Sequence, residues 1–167
     1  KKMPVGSPVV LNYDDETLRN WKWDKYKVIW VSMNDVNADY YSADIVEENG
    51  YTSFKVISRK DVFKINLPVL GKHNINNALI AVAVGNLLGI PKEKIEKSFE
   101  SYRPTGIRQN LVNIGGYKLY LDCYNNTAAE ALMGSIEVLE KIEMKKGGKR
   151  IAIITDVNVG DADEAVL

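Results

Sequence analysis

The 167-residue chain reads as an α/β protein: a mixed sheet with helices, followed by a second α/β unit. Three observations predict it. Continuous apolar runs of the kind found in buried strands stand near both ends, at Val28–Ser32 and Ile151–Ile154. Alternating segments flanking turn residues lie between them, and helical apolar spacing recurs after Asn74, after Pro91 and after Thr127.

Val9-Val10-Leu11-Asn12 is a short strand, and Asp14-Asp15-Glu16 supplies the acidic start of a short helix that carries Leu18, Trp21 and Trp23. Val28–Ser32 is a second strand. Ala43–Val46 and Ser53–Ile57 flank Glu48-Asn49-Gly50, a hairpin signal, and Phe63–Leu67 alternates as a half-exposed strand does. Asn74–Leu88 is apolar almost all round the helical wheel, which predicts a helix buried on most sides and ended by Gly89. Pro91 suits a first helical position, with Ile95 and Phe99 on one face of the helix it opens. Arg103-Pro104-Thr105-Gly106 breaks the pattern and marks a domain boundary. Beyond it, Gln109–Ile114 and Tyr117–Leu121 bracket Gly115-Gly116 as a hairpin. Thr127-Ala128-Ala129-Glu130 is a capping box opening a helix striped by Leu132, Ile136, Leu139 and Ile142, which Gly147-Gly148 closes. With Ile151–Ile154 as the next strand, this is a βαβ unit and implies a parallel sheet.

Composition limits the function. Hydrophobic residues make up 46% of the chain, enough for a real core. Lys+Arg and Asp+Glu both number 22, so no net field draws the chain to nucleic acid or an anionic membrane. One cysteine, Cys123, and one histidine, His73, provide neither an internal disulfide nor a zinc cluster, and a cytoplasmic setting is expected. Ala78–Val84, the longest apolar stretch, is too short to span a bilayer. A start at Lys1 and a stop just after a strand and loop imply a piece of a longer protein.

Two clusters bear chemistry. No phosphate-cradling P-loop is present, since Asn66 and His73 stand where Gly71-Lys72 would need a glycine and a hydroxyl. Asp156, Asn158, Asp161 and Asp163 imitate a calcium loop, but Gly160 comes one position early. The first cluster is Gly71-Lys72-His73-Asn74-Ile75-Asn76-Asn77-Ala78 at a helix start. One asparagine there is a helix cap. Three exceed that need, and a carboxamide can both donate to and accept from an adenine edge. The second is Asp122-Cys123-Tyr124-Asn125-Asn126-Thr127, between a strand end and a helix start, where open α/β sheets bind ligands. Asp122 is either a solvated strand end or an acceptor for both ribose hydroxyls. Arg108 is either a surface charge or a phosphate clamp. Cys123 is expected to be a small filler, with no second histidine to activate it.

Taken in order, Leu11-Asn12-Tyr13-Asp14-Asp15, Gly71–Ala78, Thr105-Gly106-Ile107-Arg108 and Asp122–Asn126 resemble the Mur ligase family, closest to its UDP-N-acetylmuramoyl-tripeptide:D-alanyl-D-alanine ligase branch. The resemblance implies that residues 1–104 are the later part of the family's central ATP-binding domain and 105–167 the first part of its Rossmann-like C-terminal domain. It implies a parent that is an ATP-dependent amide-bond-forming ligase of peptidoglycan precursor synthesis, working through an acyl phosphate on a UDP-linked peptide. Asn74 and Asn77 match the asparagines beside the adenine, Arg108 the arginine reaching the nucleotide, and Asp122 the ribose carboxylate. His73 matches the motif histidine, as ligand contact or helix-start packing, while Asp14 and Asp15 look structural. The P-loop and the Mg2+ ligands are expected upstream of Lys1, so this piece alone is expected to be inactive. The run after Asp122 and the run Thr155–Gly160 depart from the family pattern. They keep open a relative acting on another substrate, of folylpolyglutamate or cyanophycin synthetase type, or a non-catalytic scaffold.

Overall fold

The computed structural model describes residues 3–104, 106–123 and 129–154. Five strands form one sheet in the order β1 (Pro8–Asn12), β2 (Lys27–Ser32), β3 (Tyr40–Glu48), β4 (Tyr51–Ser58) and β5 (Val62–Leu67). The first three run parallel, joined between β1 and β2 by α1 (Glu16–Asn20), and the last three are antiparallel, so the sheet is mixed as the sequence predicts. Asn49 and Gly50 both take positive φ, 53° and 84°, the twist that lets a two-residue loop reverse β3 into β4.

Asp14 and Asp15 explain why the Leu-Asn-x-Asp-Asp stretch is structural. Asp15 caps α1 through the Leu18 amide, and Asp14 crosses to β2, accepting from Ser32 Oγ at 2.5 Å and from the Met33 amide at 2.7 Å. The carboxyl ends of β1 and β2 are thereby tied together.

Helix α2 (Lys72–Leu87) lies across the sheet and presses Ile75, Ala78, Leu79, Val82 and Ala83 onto Val31, Phe54, Val56, Phe63, Ile65 and Leu67. The expectation that it is buried on most sides is not met. Val84 and Leu87 are exposed, and Leu88 just past the helix end is 72% exposed, because the sheet covers one face only. Helix α3 (Lys92–Glu100) follows, with Pro91 as its extended N-cap rather than its first helical residue. It reaches α2 at Gly85, where a Cβ would stand 3.1 Å from Ile95 Cδ1. Glu96 of α3 also accepts the Lys64 amide at 2.7 Å, satisfying a donor of the edge strand β5.

The later part is an antiparallel hairpin, β6 (Asn110–Ile114) and β7 (Tyr117–Leu121), turned on Gly115 and Gly116, and then α4 (Ala129–Lys141). A smaller core of Leu70, Val138 and Ile142, backed by Leu111, Tyr120 and Leu139, joins it to the end of β5. One expectation holds in part and two fail here. Leu139 and Ile142 of the expected stripe pack into this core and Leu132 and Ile136 are half-buried, while Val138, outside the stripe, is the most buried residue of α4. The helix ends at Lys141, six residues before Gly147, which occupies a later turn. Ile151–Ile154 pairs with no strand, and Ile153 is 89% exposed, so no βαβ unit forms among the described residues. A continuous apolar run becomes a strand only where a neighbouring ladder and a covering layer are in place. Thr127 and Ala128, which open the expected capping box, lie outside the described residues, as do Tyr124–Asn126 and Asp156–Asp163.

Candidate functional site

Gly71 sets the geometry of the first cluster. At φ 108° it is the N-cap of α2, in backbone space that L side chains rarely adopt. A Cβ there would stand 2.7 Å from His73 Cε1 and 3.4 Å from Val138 Cγ2, so the bare glycine lets the His73 ring fold back and lets α4 approach. His73 is exposed, with its ring lying beside Gly71.

Asn74 and Asn77 part company. Asn74 is buried, and its Nδ2 donates to Leu70 O at 2.8 Å and to Gln109 Oε1 at 3.4 Å, binding the start of α2 to the segment after the predicted boundary. Asn77, one turn further, is exposed. Asn76 lies between them with its Oδ1 buried and without a hydrogen-bond partner among the described residues.

The second cluster comes to the same place from the other side. The Cys123 amide donates to Ile107 O at 2.9 Å, which sets the end of β7 against the turn that carries Arg108, an exposed residue. Asp122 is half-buried and accepts a short hydrogen bond from Ser135 Oγ of α4. Next to it the buried Tyr120 hydroxyl has no well-aligned partner among the described residues. Burial and the Asp122 charge push that phenol up to about 12, against a smaller opposing pull from Ser135. Cys123 is exposed, so the packing role expected for it is corrected. Arg108 is thus bracketed: Gln109 on one side meets Asn74, and Ile107 on the other meets Cys123.

Between the start of α2 and α4 lies an open cleft of ≈ 470 Å³, lined by Gly71, Lys72, His73, Met133, Gly134, Glu137, Val138 and Lys141. Its size is that of a small-ligand site. None of Asn74, Asn77, Arg108 and Asp122 lines it. Asn74 follows its His73 wall in the chain, and Asp122 is held by Ser135, the neighbour of Gly134.

Glu47 was missed in the sequence. From β3 it accepts the Gly71 amide at 2.8 Å through Oε1, and it pairs through Oε2 with Lys141 of α4. Burial alone would raise its pKa, but the Lys141 ammonium, the Gly71 amide and the Lys72 charge outweigh it and hold the carboxyl below the ordinary value of 4.5. It stands in a strand of mixed polarity between Val46 and Glu48, and no motif distinguishes it. Among the described residues no group of three or more His, Cys, Asp or Glu side chains is disposed to hold a metal ion, and no helix is long and apolar enough to cross a membrane.

Residues 1–85 match the Mur ligase middle domain. The chain is 30% identical over 128 residues to a UDP-N-acetylmuramoyl-tripeptide--D-alanyl-D-alanine ligase of Bacillus subtilis, covering 75% of this chain and 27% of that protein. It is 32% identical over 145 residues to a UDP-N-acetylmuramate--L-alanine ligase of Caldicellulosiruptor saccharolyticus, covering 84% and 32%. The chain therefore spans about a third or less of the relatives it matches, and neither branch is favoured over the other. The MurF ligase of Thermotoga maritima, solved in complex with ADP, shares the fold with a TM-score of 0.70 at 20% identity, over 84% of this chain and 32% of that one. With its mixed sheet, its flanking helices and half its length matched to the middle domain, this chain belongs to the Mur ligase family.

Proposed function

We propose that the parent protein is an ATP-dependent amide-bond-forming ligase and that these residues hold the adenosine end of ATP. The reading divides the chain at 104/105, between the central ATP-binding domain and the start of the C-terminal domain. One observation carries it: the contacts Asn74 to Gln109 and Cys123 to Ile107 bracket Arg108, so the asparagine-rich helix start and the Asp122 strand end meet at one turn.

The residues present fit a nucleoside. Asp122, fixed by Ser135, is a half-buried carboxylate suited to accept from two ribose hydroxyls. Asn77 is exposed one turn into α2 and offers an amide to an adenine edge, and Arg108 offers a guanidinium fork to a phosphate. The Nδ2 of Asn74 is committed to Leu70 O and Gln109 Oε1, so within this reading Asn74 holds the start of α2 in place beside the adenine. ATP, when bound, supplies the phosphoryl group that activates an acceptor carboxylate, after which an amine displaces phosphate. On the family resemblance the Mg2+ ligands, like the P-loop, are assigned to other parts of the parent.

Within the family we read the parent as adding D-alanyl-D-alanine to a UDP-linked peptide in the cytoplasm, on the four motifs in their order. Assays of the intact parent with L-alanine against D-alanyl-D-alanine decide the branch. The site is tested by calorimetry with ADP on the intact parent. Asp122→Ala and Asn77→Ala are each expected to weaken binding about tenfold, the scale of one lost hydrogen bond to a charged or well-placed polar group. Parental affinity in both variants would overturn the assignment.

A further inference from the structure

Glu47 links three elements that the motifs leave unconnected. It belongs to β3, its Oε1 accepts the amide of Gly71 at the head of α2, and its Oε2 takes the Lys141 ammonium of α4. The Glu47 side chain is 13% exposed and that of Lys141 is 35% exposed, so the pair is partly withdrawn from water, where charge-assisted hydrogen bonds are strong.

The position of the Gly71 amide gives this contact its meaning. In a capping box the residue three places after the N-cap turns its carboxylate back to the N-cap amide. Here that residue is Asn74, and its side chain is turned instead to Leu70 O and Gln109. Gly71 itself has no side chain with which to cap. Glu47 therefore does, from a distant strand, what the third helical residue does elsewhere, and leaves Asn74 available to tie α2 to the 106–109 turn. A second observation places α4 in the same arrangement: the space beside Gly71 is closed at 3.4 Å by Val138, one turn before Ile142 and three residues before Lys141.

We propose that Glu47 is a positioning residue that sets the first turn of α2 and, through Lys141, makes that setting depend on α4 being docked. The two sides it couples are those carrying Asn74 and Asn77 on α2 and Ser135, the partner of Asp122, on α4. In its meaning for nucleotide binding the proposal rests on the adenosine reading above. As a coupling between elements it stands without it.

Amide hydrogen exchange on the intact parent, without nucleotide, tests the coupling. Lys141→Met removes the α4 partner but leaves the acceptor of the Gly71 amide in place, on a side chain exposed enough for the fold to survive. Exchange of the Gly71 amide is expected to rise about tenfold in this variant, together with the amides of residues 138–141. Glu47→Gln, nearly isosteric, loses the charge and is expected to do the same. The exchanged pair Glu47→Lys with Lys141→Glu should return the α4 amides to native protection while the Gly71 amide stays fast, because an ammonium cannot accept its hydrogen bond. Core amides at Val56 and Phe63 should be unaffected throughout. A Gly71 amide unchanged in Lys141→Met overturns the proposal, since a merely local ion pair would loosen α4 alone. An exchanged pair that fails to restore α4 overturns it as well. ADP calorimetry on the intact parent addresses the adenosine reading separately, so either can fail alone.

Discussion

Gly71 and Glu47 show how much a single position decides at the start of α2. Gly71→Ala forces a left-handed φ on an L residue and drives a Cβ toward the His73 ring, and is expected to cost about 1–3 kcal/mol in urea unfolding. Adding His73→Ala should recover the steric part and leave the backbone part. Glu47 makes stability pH-dependent with a definite sign. Its pKa is lower in the folded chain than when unfolded, so its contribution is full above the unfolded value and fades as pH falls through the folded one. Urea midpoints taken from about pH 5 downward should fall more steeply for the native chain than for Glu47→Gln. Equal slopes would show that the carboxylate is not held as described. The family resemblance named Asn74, Asn77, Arg108 and Asp122, but it could not tell an engaged amide from an available one. That difference depends on Gln109, 35 residues away, whose side chain consumes part of the Asn74 hydrogen-bonding capacity.

At the scale of elements, α2 separates composition from environment. Its apolar residues surround the wheel, so periodicity alone could not say which face meets the sheet. Leu79 is fully buried against it, and Leu79→Ala is expected to cost about 2–5 kcal/mol. Leu88, of the same residue type and just beyond the helix end, is exposed, and Leu88→Ala should stay within about 0.5 kcal/mol. Comparable losses for the two would contradict the burial of one face only. The strands were more legible. Their boundaries follow from turn chemistry such as Asn49-Gly50 and Gly115-Gly116, a local property of the backbone. Ile151–Ile154 failed for the opposite reason, because its expected pairing is wholly non-local.

Across the whole molecule the apolar interior divides into two clusters of unequal size. The larger joins α2 and α3 to the five-stranded sheet, and the smaller joins the end of β5 to the β6–β7 hairpin and α4. Hydrogen exchange should therefore show β6, β7 and α4 opening at a lower free energy than β4, β5 and α2, since local stability follows buried apolar contact. A single common opening energy would mean that the small core is as cooperative as the large one. The sequence by itself determined the mixed α/β class, the hairpins, the long helix and the two polar clusters, because these rest on side-chain period, turn residues and capping types that act over a few positions. Only the tertiary structure decided that Asn74 is fastened to Gln109, that Val138 leads the buried face of α4, and that Glu47 completes a helix start 24 residues away. Each depends on which groups compete for the same donor or the same apolar surface once distant segments meet, and that competition has no signature in local order.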